Sequence, residues 1–129
     1  MTSIPFSRDY WPPAPVLPVR LCFPDHAPQH NESDALVDTG ADGTMAPLVL
    51  LEQLGVPVSH MVNLRSHVGD NVFRAAVYGV DLIVGDKLRL PGIEVVSDDW
   101  GDQIILGRNV LNRLRLILDG PNQLTDAVE

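Results

Sequence analysis

An apolar run that stops at a glycine turn and continues as a helix occurs twice in this chain, and that repetition restricts the available folds more than any other feature. The first copy is Ala35-Leu36-Val37-Asp38-Thr39-Gly40, with a helix expected over residues 47–54. The second is Ile104-Ile105-Leu106-Gly107, with a helical turn expected over residues 108–113. Short apolar runs bounded by turn residues read as buried strands, and glycine permits the tight turn that follows. Within residues 47–54, Leu48, Leu51 and Leu54 share a helical stripe. Pro47 suits a first helical position, and Gly55 the position past the last turn. Two related halves are therefore expected, and only the first carries Asp-Thr-Gly. A carboxylate at the tip of a buried strand requires an explanation.

The rest of the chain reads as sheet flanked by extended segments. Residues 1–18 hold Pro5, Pro12, Pro13, Pro15 and Pro18, which fix φ, remove backbone donors and favour an extended arm. Residues 19–23 suit a first strand and residues 24–33 a polar loop. Residues 64–96 suit long strands punctuated at Gly69-Asp70-Asn71 and Gly85-Asp86, both able to close hairpins. Residues 114–118 suit a last strand. The expected organisation is an arm at 1–18, one domain at 19–121 and a tail at 122–129.

At 129 residues and 45% hydrophobic content the chain suits a single globular domain with a real core. Its 9 basic against 17 acidic side chains, a net charge of -8, argue against nucleic acid as a partner. The longest apolar run, at residues 47–51, is far short of the roughly 20 residues of a membrane helix, and no basic segment leads into an apolar one at the N-terminus. No membrane partner and a cytoplasmic location are expected. The one cysteine, Cys22, has no internal partner and sits in an apolar strand, as a core thiol would. His26, His30, His60 and His67 lack the spacing of a zinc site, so neither metal nor cofactor is expected.

Asp-Thr-Gly alone is weak evidence, since it should arise by chance in roughly one chain in forty of this size. Its context is Ala35-Leu36-Val37-Asp38-Thr39-Gly40-Ala41-Asp42, followed later by Ile104-Ile105-Leu106-Gly107-Arg108-Asn109-Val110-Leu111 and Leu116-Ile117-Leu118-Asp119-Gly120-Pro121. In that order, over about residues 16–121, the sequence resembles the retropepsin family of aspartic peptidases, which includes retroviral proteases and bacterial relatives. The resemblance implies an all-β, closed, barrel-like acid-peptidase domain with two short helices, one lobe per chain, assembled as a homodimer acting on peptide or protein substrates. Asp38 would be the catalytic aspartate. Thr39 would hydrogen-bond across the dimer axis, Gly40 would offer its carbonyl to the substrate backbone, and Ala41 would keep the cleft floor small. Asp42 would pair with Arg108 and brace the end of the cleft. Val68 and Gly69 would fall near the tip of a flap, although the retroviral flap is richer in glycine. Trp100, in the acidic loop with Asp98, Asp99 and Asp102, would wall a substrate pocket. Tyr10 and Trp11 would contribute to a dimer interface.

Independent of the family, hydrolysis by aspartates uses two carboxylates that share a proton. A chain this short supplies only one such site, so the second would come from another copy across a two-fold axis. The competing readings are a non-catalytic dimerisation or peptide-binding module of the same fold, and a small β-rich scaffold with a chance motif.

Overall fold

A computed structural model describes residues 3–65 and 71–128. Among the described residues, ten strands and two short helices follow one another as β1 (Ile4–Pro5), β2 (Val16–Cys22), β3 (Ser33–Val37), β4 (Thr44–Pro47), α1 (Leu48–Leu54), β5 (Val58–Arg65), β6 (Val72–Val84), β7 (Leu88–Asp98), β8 (Ile104–Leu106), α2 (Arg108–Leu111), β9 (Arg115–Asp119) and β10 (Leu124–Val128). The larger sheet runs β2-β3-β8-β4-β7-β6-β5. Because β2 also pairs with β6, from Val19↔Val84 to Cys22↔Asp81, six of its strands close into a barrel. The chain is mostly strand, as the all-β reading requires.

Alternation explains the barrel. Leu17, Val19 and Leu21 of β2, Val80, Leu82 and Val84 of β6, and Val95 of β7 all face one core, as period-2 strands with a buried inner face do. The two copies of the strand-turn-helix unit meet at its centre. Strands β3 and β8 lie parallel with Val37 opposite Leu106, and Leu51 of α1 and Val110 of α2 are both buried in the same core. Helix α1 begins at Leu48, one residue later than predicted, because Pro47 ends β4. Gly55 closes the helix at φ 74, with its N–H on the Glu52 carbonyl. This left-handed C-terminal position suits glycine. At Gly85, with φ 65, the β6–β7 hairpin turns as predicted.

Other boundaries differ from the sequence reading as well: β2 begins at Val16, inside the segment read as the arm, and β4 stands between the Asp-Thr-Gly turn and α1. Strand pairing starts at Val58 rather than residue 64, and β5 then pairs with β6 as far as Arg65↔Val72. Residues 122–129, read as a tail, contain β10, which lies between β9 and the Ile4–Pro5 strand of the arm in a second sheet. Thr125 and Ala127 are buried there. A strand this short and polar carries little hydrophobic period of its own, and its partner β1 stands at the other end of the chain. Cys22 is buried in the core, where burial pushes its thiol up from the ordinary value. Among the described residues no helix is long and apolar enough to cross a membrane.

Candidate active site

Asp38 stands where β3 leaves the barrel. The Val37 N–H bonds the Pro15 carbonyl (3.0 Å) and the Asp38 N–H bonds the Leu106 carbonyl (3.1 Å), so the strand end is fixed from both sides. The chain then turns sharply. Asp38 Oδ1 accepts the Gly40 N–H at 3.0 Å, and the Asp38 carbonyl accepts the Ala41 N–H at 3.2 Å. This is the local hydrogen bonding that makes aspartate favourable in turns. It orients the half-buried carboxyl through one oxygen, and among the described residues Oδ2 takes no hydrogen bond from the chain. Thr39 and Gly40 are exposed at the tip of the turn.

The second motif braces the first. Arg108 Nη1 donates to the Thr39 carbonyl at 2.9 Å, Nη2 donates to Asp42 Oδ1, and the Arg108 N–H bonds the Ala41 carbonyl at 2.8 Å. A guanidinium fork can address a carbonyl and a carboxylate at once, which lysine cannot. The Asp42 side chain is 92% exposed, so the value of this ion pair lies in geometry more than stability. The resemblance pairs Asp42 with Arg108, and these residues meet.

Three residues next to the turn, Thr44, Gly107 and Asn109, carry no site role in the sequence reading. Thr44, 1% exposed, donates through Oγ1 to Asn109 Oδ1 (2.7 Å) and accepts the Gly107 N–H (3.1 Å). Asn109 Nδ2 in turn donates to the Glu94 carbonyl at 3.0 Å. Gly107 has no room for a side chain, since a Cβ there would lie 2.2 Å from the Gly43 carbonyl oxygen. The Gly107-Arg108-Asn109 run was the available signal. Nothing in the sequence pointed to Thr44, whose partners are remote. Thr44→Val keeps the shape but strands the buried Gly107 N–H and removes the donor to Asn109 Oδ1, and should lower stability by roughly 1–2 kcal/mol. A thermal or denaturant melt measures this, and an unchanged midpoint would show that the bracing is dispensable.

A cleft of ≈ 240 Å³ lies between the β5–β6 hairpin and the loop after β7, lined by Leu64, Phe73, Arg74 and Ala75 on one side and by Met45, Ser97, Asp98, Asp99 and Trp100 on the other. Trp100 is 97% exposed. Phe73, also on the hairpin, is more than half exposed. Val68 and Gly69, expected at the flap tip, lie outside the described residues. Among the described residues no group of three metal-ligating side chains converges.

No family model matches this sequence, and no curated protein does. Solved structures do resemble the fold. A retropepsin-like aspartic protease from Rickettsia conorii superposes with a TM-score of 0.66 at 17% identity, over 98% of this chain and 92% of that one. The retroviral protease-like domain of Ddi1 from Leishmania major gives 0.54 at 17% identity, over 90% and 94%. The simian foamy virus (mac) protease gives 0.52 at 20% identity, over 76% and 92%. At these identities the likeness establishes that the chain has the retropepsin-like fold.

Proposed function

We propose that this retropepsin-fold chain is an aspartic endopeptidase that works as a homodimer, hydrolysing peptide bonds with water activated between two copies of Asp38. The observation that carries the reading is the state of Asp38 within one chain. Its carboxyl is fixed through Oδ1 on an exposed, braced turn while Oδ2 has no partner among the described residues. Half of an acid-base pair is thus oriented and left open. In the dimer one Asp38 is ionised and takes a proton from the bound water as it attacks the carbonyl carbon. The other, protonated, donates a hydrogen bond to the carbonyl oxygen and then helps protonate the leaving amine. Thr39, exposed at the tip, bonds across the axis, the Gly40 carbonyl meets the substrate backbone, and Ala41 keeps the cleft floor small. Arg108 and Asp42 hold the turn in register. Val68, Gly69 and Trp100 contact substrate side chains.

Two like charges this close do not both ionise, so cleavage should rise and fall around a mildly acidic optimum. The test is hydrolysis of apolar-centred peptides between about pH 4 and 7, with activity followed across protein concentrations. Specific activity that climbs with concentration and is blocked by a statine-type inhibitor supports the reading. A monomer at every concentration, with no cleavage, leaves the scaffold alternative. Trp100→Ala should lower kcat/KM roughly tenfold for peptides with a large apolar residue beside the cleft, about the worth of one good aromatic contact. An unchanged cleavage profile in a peptide library would remove Trp100 from the pocket.

A further inference from the structure

The loop that carries Trp100 is held differently at its two ends. At its start, Asp98 Oδ1 accepts the N–H groups of Trp100 (3.1 Å) and Gly101 (2.9 Å). A Cβ on Gly101 would lie 2.0 Å from Asp98 Oδ2, so this end is tightly folded. Towards its end, Gly101, Asp102 and Gln103 are exposed. Among the described residues, one hydrogen bond reaches residues 99–103 from outside the loop. Tyr10 Oη donates to Gln103 Oε1 at 2.8 Å.

Tyr10 is a rigid anchor. Residues 7–14 form a closed loop in which the Ser7 N–H bonds the Ala14 carbonyl (2.8 Å), the Ala14 N–H bonds the Ser7 carbonyl (3.1 Å) and the Asp9 N–H bonds Ser7 Oγ (3.2 Å). Pro12 and Pro13 restrict the same loop in φ. Its exit at Pro15 is tied to Val37, next to Asp38. Burial, then the charges of Asp9, Asp102 and Asp34, push the phenol above its ordinary value of 10.0, so the hydroxyl is a donor at any working pH.

We infer that Tyr10 is a positioning residue for substrate selectivity: through Gln103 it holds residues 98–103 and with them the Trp100 wall of the cleft. The inference rests on the protease reading and adds to it that the arm helps choose the substrate. The apolar walls of Met45, Leu64, Phe73 and Trp100 favour large apolar or aromatic side chains, and a loosened wall grips them less.

Tyr10→Phe removes one hydroxyl and tests this. Amide exchange at residues 99–103 should accelerate. The kcat/KM preference for peptides with a large aromatic residue over alanine at that subsite should fall about fivefold, the equivalent of one neutral hydrogen bond, through KM with kcat held. Gln103→Met should do the same, and the double variant should be no worse than either single one. A merely structural role would lower stability without moving the preference. If the wild type cleaves and Tyr10→Phe keeps its preference, with or without faster exchange, the positioning role is overturned and the protease reading stands. If the wild type cleaves nothing, both fall.

Discussion

Asp38→Asn is expected to abolish peptide cleavage while leaving the fold and the dimer in place. The two effects separate because the carboxyl has two uses. Towards its own chain, it accepts the Gly40 N–H through Oδ1. An amide oxygen accepts the same bond, so the turn, the Arg108 brace and the surrounding barrel keep their geometry. Towards substrate, in the proposed dyad, it would take a proton in one subunit and give one in the other, and an amide does neither. In a homodimer both copies change together, so base and acid are lost at once. General acid-base contributions of 10²–10⁴ imply a loss on the order of 10⁴-fold, equivalent to about 5.5 kcal/mol of barrier. The measurement is single-turnover cleavage at high protein concentration beside a melting curve and sedimentation. Residual cleavage within tenfold of wild type would mean that the chemistry lies elsewhere. A collapsed melt would mean that the asparagine disturbs the turn and that the activity loss is not diagnostic.

The parts of this site that could be read from the sequence are those whose causes are local. Ala35-Leu36-Val37 announces a buried strand by composition, Asp38 to Gly40 a turn, and Leu51, Leu54 and Gly55 a capped helix, because each rests on neighbours a few residues away. Arg108 was legible by resemblance, and its contacts to Thr39 and Asp42 give that resemblance a physical basis. Side-chain bonds between residues far apart in the chain were not legible. Thr44 looks like an ordinary strand threonine until Gly107 and Asn109 come within reach. Tyr10 gives no hint of Gln103, and β10 none of β1. Such contacts leave no period in the sequence, yet they fix where the locally determined elements sit.

Asp81→Ala should be strongly destabilising although the residue lies outside the active site. An aspartate between Val80 and Leu82 breaks the apolar run of a barrel strand, and it is 3% exposed. Two segments, the loop after β2 and strand β7, converge on it. The Asp25 N–H, on a residue with φ 64, reaches Oδ2 at 2.9 Å, and the Gly92 N–H reaches Oδ1 at 3.2 Å. Arg89 Nε donates to Oδ2 at 3.0 Å, with Nη2 at 2.9 Å from the same oxygen and also donating to the His26 carbonyl. Removing the carboxylate strands two N–H groups and a guanidinium whose side chain is still 34% exposed. That exposure puts the loss near the lower end for a broken buried pair, roughly 3 kcal/mol, or about 10 °C in Tm for a domain of this size. The pH dependence has a definite sign. Burial raises the Asp81 pKa, but the Asp25 and Gly92 N–H groups and Arg89 outweigh it and hold the carboxyl below its ordinary 3.8. A depressed folded value gives stability that is fully present above about pH 4 and is lost as the pH falls through the lower folded value. The proposed dyad works at mildly acidic pH, above that window, so the barrel keeps this contribution where catalysis needs it. Melts from pH 7 down to pH 2 should show the wild type losing its advantage over Asp81→Asn only below about pH 4. A gap between the two that is constant across that range would mean that shape rather than charge at Asp81 holds these segments to β6.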